Sequence, residues 1–110
     1  MIVKNRPINR RAKVRDHALA VTLAFGAVER TYNELGYEAV YSSGDDGKHG
    51  TTSLHWSDNA WDFRVHGMTH DDAKLAVVKI KARLGLDFDV LLEKWGTPDA
   101  HIHVEWQPRA

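Results

Sequence analysis

At 110 residues, the chain is long enough for one domain with its own hydrophobic core and too short for two ordinary domains. A hydrophobic content of 43% indicates a globular protein, and fifteen basic residues balance fifteen acidic ones, which argues against a strongly cationic nucleic-acid binder. Because cysteine is absent, disulfides and thiolate metal ligands are excluded, and any zinc must be bound by histidine and carboxylate side chains.

The first fifteen residues form a basic arm, which we separate from a domain predicted over residues 16–110. Six of them are cationic: Lys4, Arg6, Arg10, Arg11, Lys13 and Arg15. A solvated arm is the simplest interpretation, and an anionic polymer as partner is the alternative. Because the arm lacks the apolar core of a secretory signal and no segment has the length of a membrane span, we expect synthesis in the cytoplasm and no membrane insertion.

Apolar spacing predicts two helices. In residues 16–35, Phe25, Val28 and Tyr32 recur at helical intervals, and a glycine follows at position 36. Thr69 is suited to cap a second helix, whose buried stripe would run to Leu84 before another glycine.

Alternating and β-branched segments predict about four short strands. These are residues 37–41, a region from Ser53 to Val65 interrupted near residues 57–59, residues 88–92 and residues 101–106. The last two are separated by residues 94–99, which have the composition of a hairpin loop. The pattern predicts an α+β fold in a single domain, with a small antiparallel sheet and two main helices.

Histidines and carboxylates at two places suggest a metal site. Catalytic zinc usually has three protein ligands and keeps one position for water. His55 and Asp62 lie seven residues apart, within reach of one metal if a tight turn joins their strands. His101 and His103 share one face of a strand because side chains alternate with period two. Taken singly, each histidine is more often a solvated or core residue than a ligand.

Three motifs together resemble a known family. They are Asp46-Gly47-Lys48-His49, then Ser53-Leu54-His55 followed by Ala60 and Asp62, and finally Ala100-His101-Ile102-His103. In this order and spacing, they resemble the superfamily of D-alanyl-D-alanine zinc peptidases and the hedgehog signalling domain, including short phage-type members that cleave peptidoglycan peptides. The resemblance covers roughly residues 37–108. It implies a hedgehog/DD-peptidase-like fold and Zn²⁺ bound by His55, Asp62 and His103.

The same resemblance implies roles for neighbouring side chains. Glu93, at the end of a predicted strand, would be the general base, and His101 and His49 would stabilise the oxyanion. Asp99 and Glu105 are alternatives for the base, although Glu105 could instead hold a histidine in place.

Substrate contacts are expected from three further residues. Many carboxypeptidases of the family grip a terminal carboxylate with an arginine upstream of the first motif, and residues 42–52 contain none. This absence favours an endopeptidase, unless Arg64 serves that purpose. Ser53 and Trp61 are the other candidates, although tryptophans are more often part of the core.

The resemblance implies an endolysin-like peptidase that hydrolyses an amide bond in peptidoglycan stem peptides. We expect it to be encoded by a phage or prophage, made in the host cytoplasm and active on the cell wall. The alternative is a non-catalytic zinc-binding recognition domain of the same fold. A metal-dependent nicking enzyme would need a nucleophilic tyrosine downstream of its histidine pair, but all three tyrosines lie upstream, at positions 32, 37 and 41. We therefore expect a peptide substrate and no nucleic-acid partner.

Overall fold

Two helices and four strands occupy residues 17–43 and 59–107, the part of the chain that the computed structural model describes. In chain order they are α1 (His17–Leu35), β1 (Tyr41–Ser43), β2 (Ala60–Arg64), α2 (His70–Leu84), β3 (Phe88–Glu93) and β4 (His101–Trp106). The strands form one antiparallel sheet. The predicted α+β class and its single domain with two helices and an antiparallel sheet are confirmed. The basic arm predicted over residues 1–15 lies outside the described ranges.

The sheet order β1-β2-β4-β3 places β2 and β4 at its centre. Asp62 on β2 lies opposite His103 on β4, and Arg64 lies opposite His101. On the other side of β4, Glu93 of β3 is the partner of His101. Because side chains alternate along each strand, these five residues share one face of the sheet, which we call the open face.

The opposite face of the sheet forms the core with the helices. Trp61, Phe63, Ile102 and Val104 alternate with the polar residues of the open face and are almost fully buried. Phe25 of α1 packs edge-on against Phe63, with ring centroids 5.1 Å apart. The packing explains the alternation in β4, where each buried residue is followed by a polar one.

Helix α1 ends in a Schellman motif, and the first strand begins later in the chain than predicted. The Gly36 N–H donates to the Asn33 carbonyl, and the Tyr37 N–H donates to the Tyr32 carbonyl. Gly36 has φ 88°, a left-handed conformation that favours glycine. The Tyr37 hydroxyl also donates to Asp72 Oδ2 at 2.5 Å. Residues 37–40 therefore connect α1 to the sheet, and the strand begins only at Tyr41.

Helix α1 is also tied to β2 through a buried tyrosine. The Tyr32 hydroxyl donates to the backbone carbonyl of Arg64 at 2.8 Å, and burial raises the pKa of this phenol. Its hydrogen bond fixes the end of β2 from which Arg64 projects. Neither described helix combines the length and apolar character needed to span a membrane.

Candidate metal centre

Four side chains converge on the open face of strands β2, β3 and β4. Asp62, Glu93, His101 and His103 each offer one ligand atom, and these atoms all lie within 4.8 Å of one another. The convergence follows from strand register, since Asp62 pairs with His103 and Glu93 pairs with His101. Residues that are up to 41 positions apart in sequence thus become neighbours.

The donor atoms are spaced as ligands of one ion would be. His103 Nδ1 lies 2.8 Å from Asp62 Oδ1, and His101 Nε2 lies 2.9 Å from Glu93 Oε1. The cross distances are 3.7 Å from His101 Nε2 to Asp62 Oδ1 and 3.8 Å from His103 Nδ1 to Glu93 Oε1. Two ligands on a tetrahedral zinc with bonds of about 2.1 Å are separated by about 3.4 Å. The observed spacings bracket that value.

Burial distinguishes Glu93 from the other three groups. The side chains of Asp62, His101 and His103 are 12–13% exposed, whereas Glu93 is 42% exposed. Removing a carboxylate and two imidazoles from water costs free energy unless these groups are paired or bind a cation. Glu93 therefore lies at the solvent side of the cluster.

His103 is held between two carboxylates. Its Nδ1 donates to Asp62 Oδ1 at 2.8 Å, and its Nε2 donates to Glu105 Oε1 at 2.9 Å. Burial lowers the pKa of His103, but the hydrogen bonds to Asp62 and Glu105 and the charges of Asp62 and Glu93 outweigh this and raise the pKa to about 9. Without a metal, His103 is therefore an imidazolium at neutral pH. A metal ion would displace the Nδ1 proton, while the Nε2 proton would stay on His103 and remain donated to Glu105.

His101 has one nitrogen committed to the backbone. Its Nδ1 lies 2.7 Å from the carbonyl oxygen of Asp99, and since a carbonyl can only accept, Nδ1 must carry the proton. Its Nε2 lies on the side of the ring that faces the cluster, 2.9 Å from Glu93 Oε1, and a metal ion there would replace the proton that these two atoms share. Such a ring is ready to bind a metal. The oxyanion contact that the resemblance implies for His101 stays a prediction.

Other predicted site residues lie at the edge of the cluster or outside it. Glu105 contacts the ring nitrogen of His103 that faces away from Asp62, and its second oxygen accepts from the Gln107 side chain. Asp99 contributes its carbonyl to His101, while its side chain is exposed. Trp61 is 2% exposed and belongs to the core, so burial favours the core interpretation over a substrate contact. His49, Ser53 and His55 lie outside the described residues.

A cleft of about 680 Å³ adjoins the cluster. Asp62 and His101 are among its lining residues, together with Arg64 and residues of the β3–β4 loop that include Lys94 and Trp95. Lys94 was not among the residues predicted for the site. Trp95 stacks on His70 of α2, with ring centroids 4.8 Å apart and planes 13° from parallel.

The described residues therefore contain a set of two nitrogens and two carboxylates that can bind a divalent metal ion. Such a donor set suits zinc and also other first-row metals. Comparison of the chain with family models, curated proteins and solved structures yielded no match. The chemistry of this site is thus argued from its geometry.

Proposed function

We propose that the chain is a zinc-dependent peptidase. The observation that carries the proposal is the convergence of Asp62, His101 and His103, all nearly buried, with the exposed Glu93 beside a cleft. Asp62 and His103 would hold the metal, and either His101 or His55 would supply the third ligand. Three protein ligands and an open position are the usual arrangement of catalytic zinc.

A zinc ion at this place would polarise the substrate carbonyl and make a bound water more acidic. Glu93 would accept a proton from the attacking water and deliver it to the leaving nitrogen, so that the amide C–N bond breaks into a carboxylic acid and an amine. Its 42% exposure and its Oε1 atom 2.9 Å from His101 fit a group that handles protons between the metal and solvent. Glu105 is less suited because it already accepts from His103.

Peptidoglycan stem peptides are the proposed substrates, and their support is the motif resemblance given above. On this proposal, the enzyme is an endolysin-like, phage-encoded hydrolase made in the host cytoplasm and acting on the cell wall. The specific hedgehog/DD-peptidase-like fold belongs to the same proposal. Of the motifs that carry the resemblance, the segments with His49, Ser53 and His55 lie outside the described residues.

Metal analysis provides the first test. We expect about one zinc per chain in protein purified without added metal, and its loss in His103→Ala and His55→Ala. If His103→Ala loses the metal but His55→Ala keeps it, the third ligand is His101. If the wild type binds no metal even after reconstitution, the peptidase proposal is wrong.

A second candidate is a zinc-binding recognition domain without hydrolytic activity, which the same donor set would also support. Glu93→Gln separates the two, with purified muropeptides as substrate and mass spectrometry as the assay. A peptidase should lose turnover by a factor of about 100 or more while retaining zinc. A recognition domain should cleave nothing in either form. Loss of zinc in Glu93→Gln would make Glu93 a ligand instead of the base.

A further inference from the structure

Trp95 differs from the other tryptophans of the described ranges in its exposure. Trp61 and Trp106 are 2% and 7% exposed and belong to the core, whereas Trp95 is 37% exposed and lines the cleft beside the metal cluster. A large aromatic ring that stays in contact with water forgoes the free energy that its burial would provide. An indole on the wall of a cleft is therefore a candidate contact for a ligand.

The indole ring is held in place by α2 and by its own loop. His70 of α2 stacks on it, with ring centroids 4.8 Å apart and planes 13° from parallel. Its neighbours Lys94 and Gly96 both adopt left-handed conformations, with φ 57° and 87°. The backbone N–H and the hydroxyl of Thr97 both donate to the Lys94 carbonyl, at 3.1 and 2.7 Å. Because these contacts fix the loop, little conformational entropy would be lost on binding, which favours affinity.

The charged groups in the loop of Trp95 favour an uncharged ligand with hydroxyl groups. Lys94 and Asp99 both line the cleft, and both are exposed. The ammonium of Lys94 donates hydrogen bonds, and the carboxylate of Asp99 accepts them. An ionic ligand would be repelled by one of the two, whereas a hydroxyl group can accept from the first and donate to the second.

The face of the indole ring offers a second kind of contact. It carries partial negative charge, which attracts C–H groups that neighbouring oxygens have made slightly positive. A pyranose sugar presents such C–H groups on the face of its ring and hydroxyl groups around its edge. It therefore matches both the aromatic surface of Trp95 and the polar groups of Lys94 and Asp99, which an apolar amino-acid side chain would match only in part.

Trp95 also lies close to the metal cluster. It follows Glu93 by two residues, which span at most about 7 Å. The same loop provides the Asp99 carbonyl oxygen that lies 2.7 Å from His101 Nδ1. A sugar ring stacked on Trp95 could thus be joined to a peptide at the cluster through a short link. The stem peptides of peptidoglycan are attached to their glycan in this way.

We propose that Trp95 binds a pyranose ring of the substrate, with Lys94 and Asp99 as hydrogen-bonding partners of its hydroxyl groups. This inference rests on the proposed peptidase function and deepens it, because it specifies the substrate as a stem peptide that is still attached to glycan. A free peptide would lack the group that Trp95 contacts. The glycan would then contribute to recognition, while the metal cluster would act on the peptide.

The sugar contact is tested first without a peptide. The probe is the tetramer of N-acetylglucosamine, and its binding to the full-length protein is measured by calorimetry. We expect Trp95→Ala to weaken binding by about tenfold or more, and Trp95→Phe, which keeps an aromatic ring, to weaken it less. Val78→Ala, which shortens an exposed apolar side chain on α2, should leave the affinity unchanged.

The link to the peptide is tested with a matched pair of substrates, a disaccharide tetrapeptide of peptidoglycan and the same tetrapeptide without sugar. The wild type should cleave the glycan-linked peptide with a KM about tenfold lower, because the sugar adds binding that is the same in the ground state and the transition state. Trp95→Ala should raise this KM to the value for the free peptide and leave the KM of the free peptide unchanged.

The outcomes separate this inference from the function on which it rests. If the oligosaccharide binds through Trp95 but neither peptide is cleaved, the sugar site stands and only the peptidase proposal fails. If both peptides are cleaved with equal KM and the oligosaccharide does not bind at millimolar concentration, the peptidase stands and the inference is overturned. Sugar binding that survives Trp95→Ala, or an equal loss of affinity for both peptides in that variant, would overturn the inference as well. Circular dichroism establishes that every variant is folded.

Discussion

Glu105 does not face the metal position, yet it decides how His103 can serve there. Its Oε1 accepts from His103 Nε2 at 2.9 Å, which leaves Nδ1 directed at Asp62. A carboxylate on the far side of a ligating imidazole fixes its orientation and raises its basicity. If His103 binds a metal as proposed, Glu105 would be a positioning residue that acts through His103.

Replacement of Glu105 by Gln should weaken zinc binding by about tenfold, because the amide can still accept the hydrogen bond but removes the charge. Glu105→Ala should weaken it further, towards a hundredfold. Competition with a chromophoric chelator measures both affinities, and Glu38→Gln, which changes an exposed carboxylate outside the site, is the control. Unchanged affinity in Glu105→Ala would show that Glu105 does not orient His103.

The metal-free protein should lose stability as the pH rises from about 6.5 to about 9. The folded-state pKa of His103, about 9, lies above its ordinary value of 6.5, so the protonated ring stabilises the fold. That contribution is complete below the unfolded pKa and disappears as the pH passes the folded one. Urea midpoints measured in the presence of a chelator should fall over this range in the wild type. His103→Gln should show a flatter profile, and identical profiles would contradict the assignment.

At the scale of single residues, the sequence predicted which residues form the cluster better than it predicted their chemistry. From motifs that resemble a known family, Asp62 and His103 were predicted as metal ligands, Glu93 as the general base and His101 as an oxyanion contact. The proton on His101 Nδ1 was not predictable, since it depends on the position of the Asp99 carbonyl.

Among the elements, α2 shows how local signals define a boundary. The Thr69 hydroxyl accepts from the Asp72 N–H at 3.1 Å, and Gly85 ends the helix with φ 80°. Both residues were identified from sequence, because capping depends on neighbours three or four positions away. The first strand was predicted too early because Tyr37 is recruited by the distant Asp72, a contact that no local pattern encodes.

Thr69→Ala should destabilise the protein by about 1 kcal/mol, since it removes the side-chain acceptor at the start of α2. Thr69→Ser keeps the hydroxyl and should lose much less. Urea unfolding with a common slope for both variants gives the two free energies of unfolding. Equal losses would indicate that the methyl group of Thr69, rather than its cap, contributes to stability.

At the scale of the whole molecule, the proposed metal ligands are close together only in the folded chain. The four donors lie on three strands, and the 41-residue separation of Asp62 and His103 in sequence prevents an unfolded chain from holding them together. Zinc should therefore bind the native state selectively and shift the unfolding equilibrium.

Zinc at a hundred times its dissociation constant should stabilise the protein by about 2.7 kcal/mol, which for a domain of this size raises the melting temperature by roughly 10 °C. Removal of the metal with a chelator should reverse the shift. Differential scanning calorimetry measures it, with His103→Ala as the variant that should not respond. A similar rise in His103→Ala would mean that zinc binds elsewhere.

The position of β3 at the margin of the sheet has a consequence for local opening. Within the described sheet, β3 pairs with β4 alone, and Glu93 is the last residue of β3. Edge segments of this kind open at lower free energy than central strands, so amide hydrogens of β3 should exchange with solvent sooner than those of β4. Glu93, the proposed general base, would thus lie on the strand of the site that opens most readily. A bound metal ion would link β3 to β2 and β4, and its binding should slow amide exchange in β3.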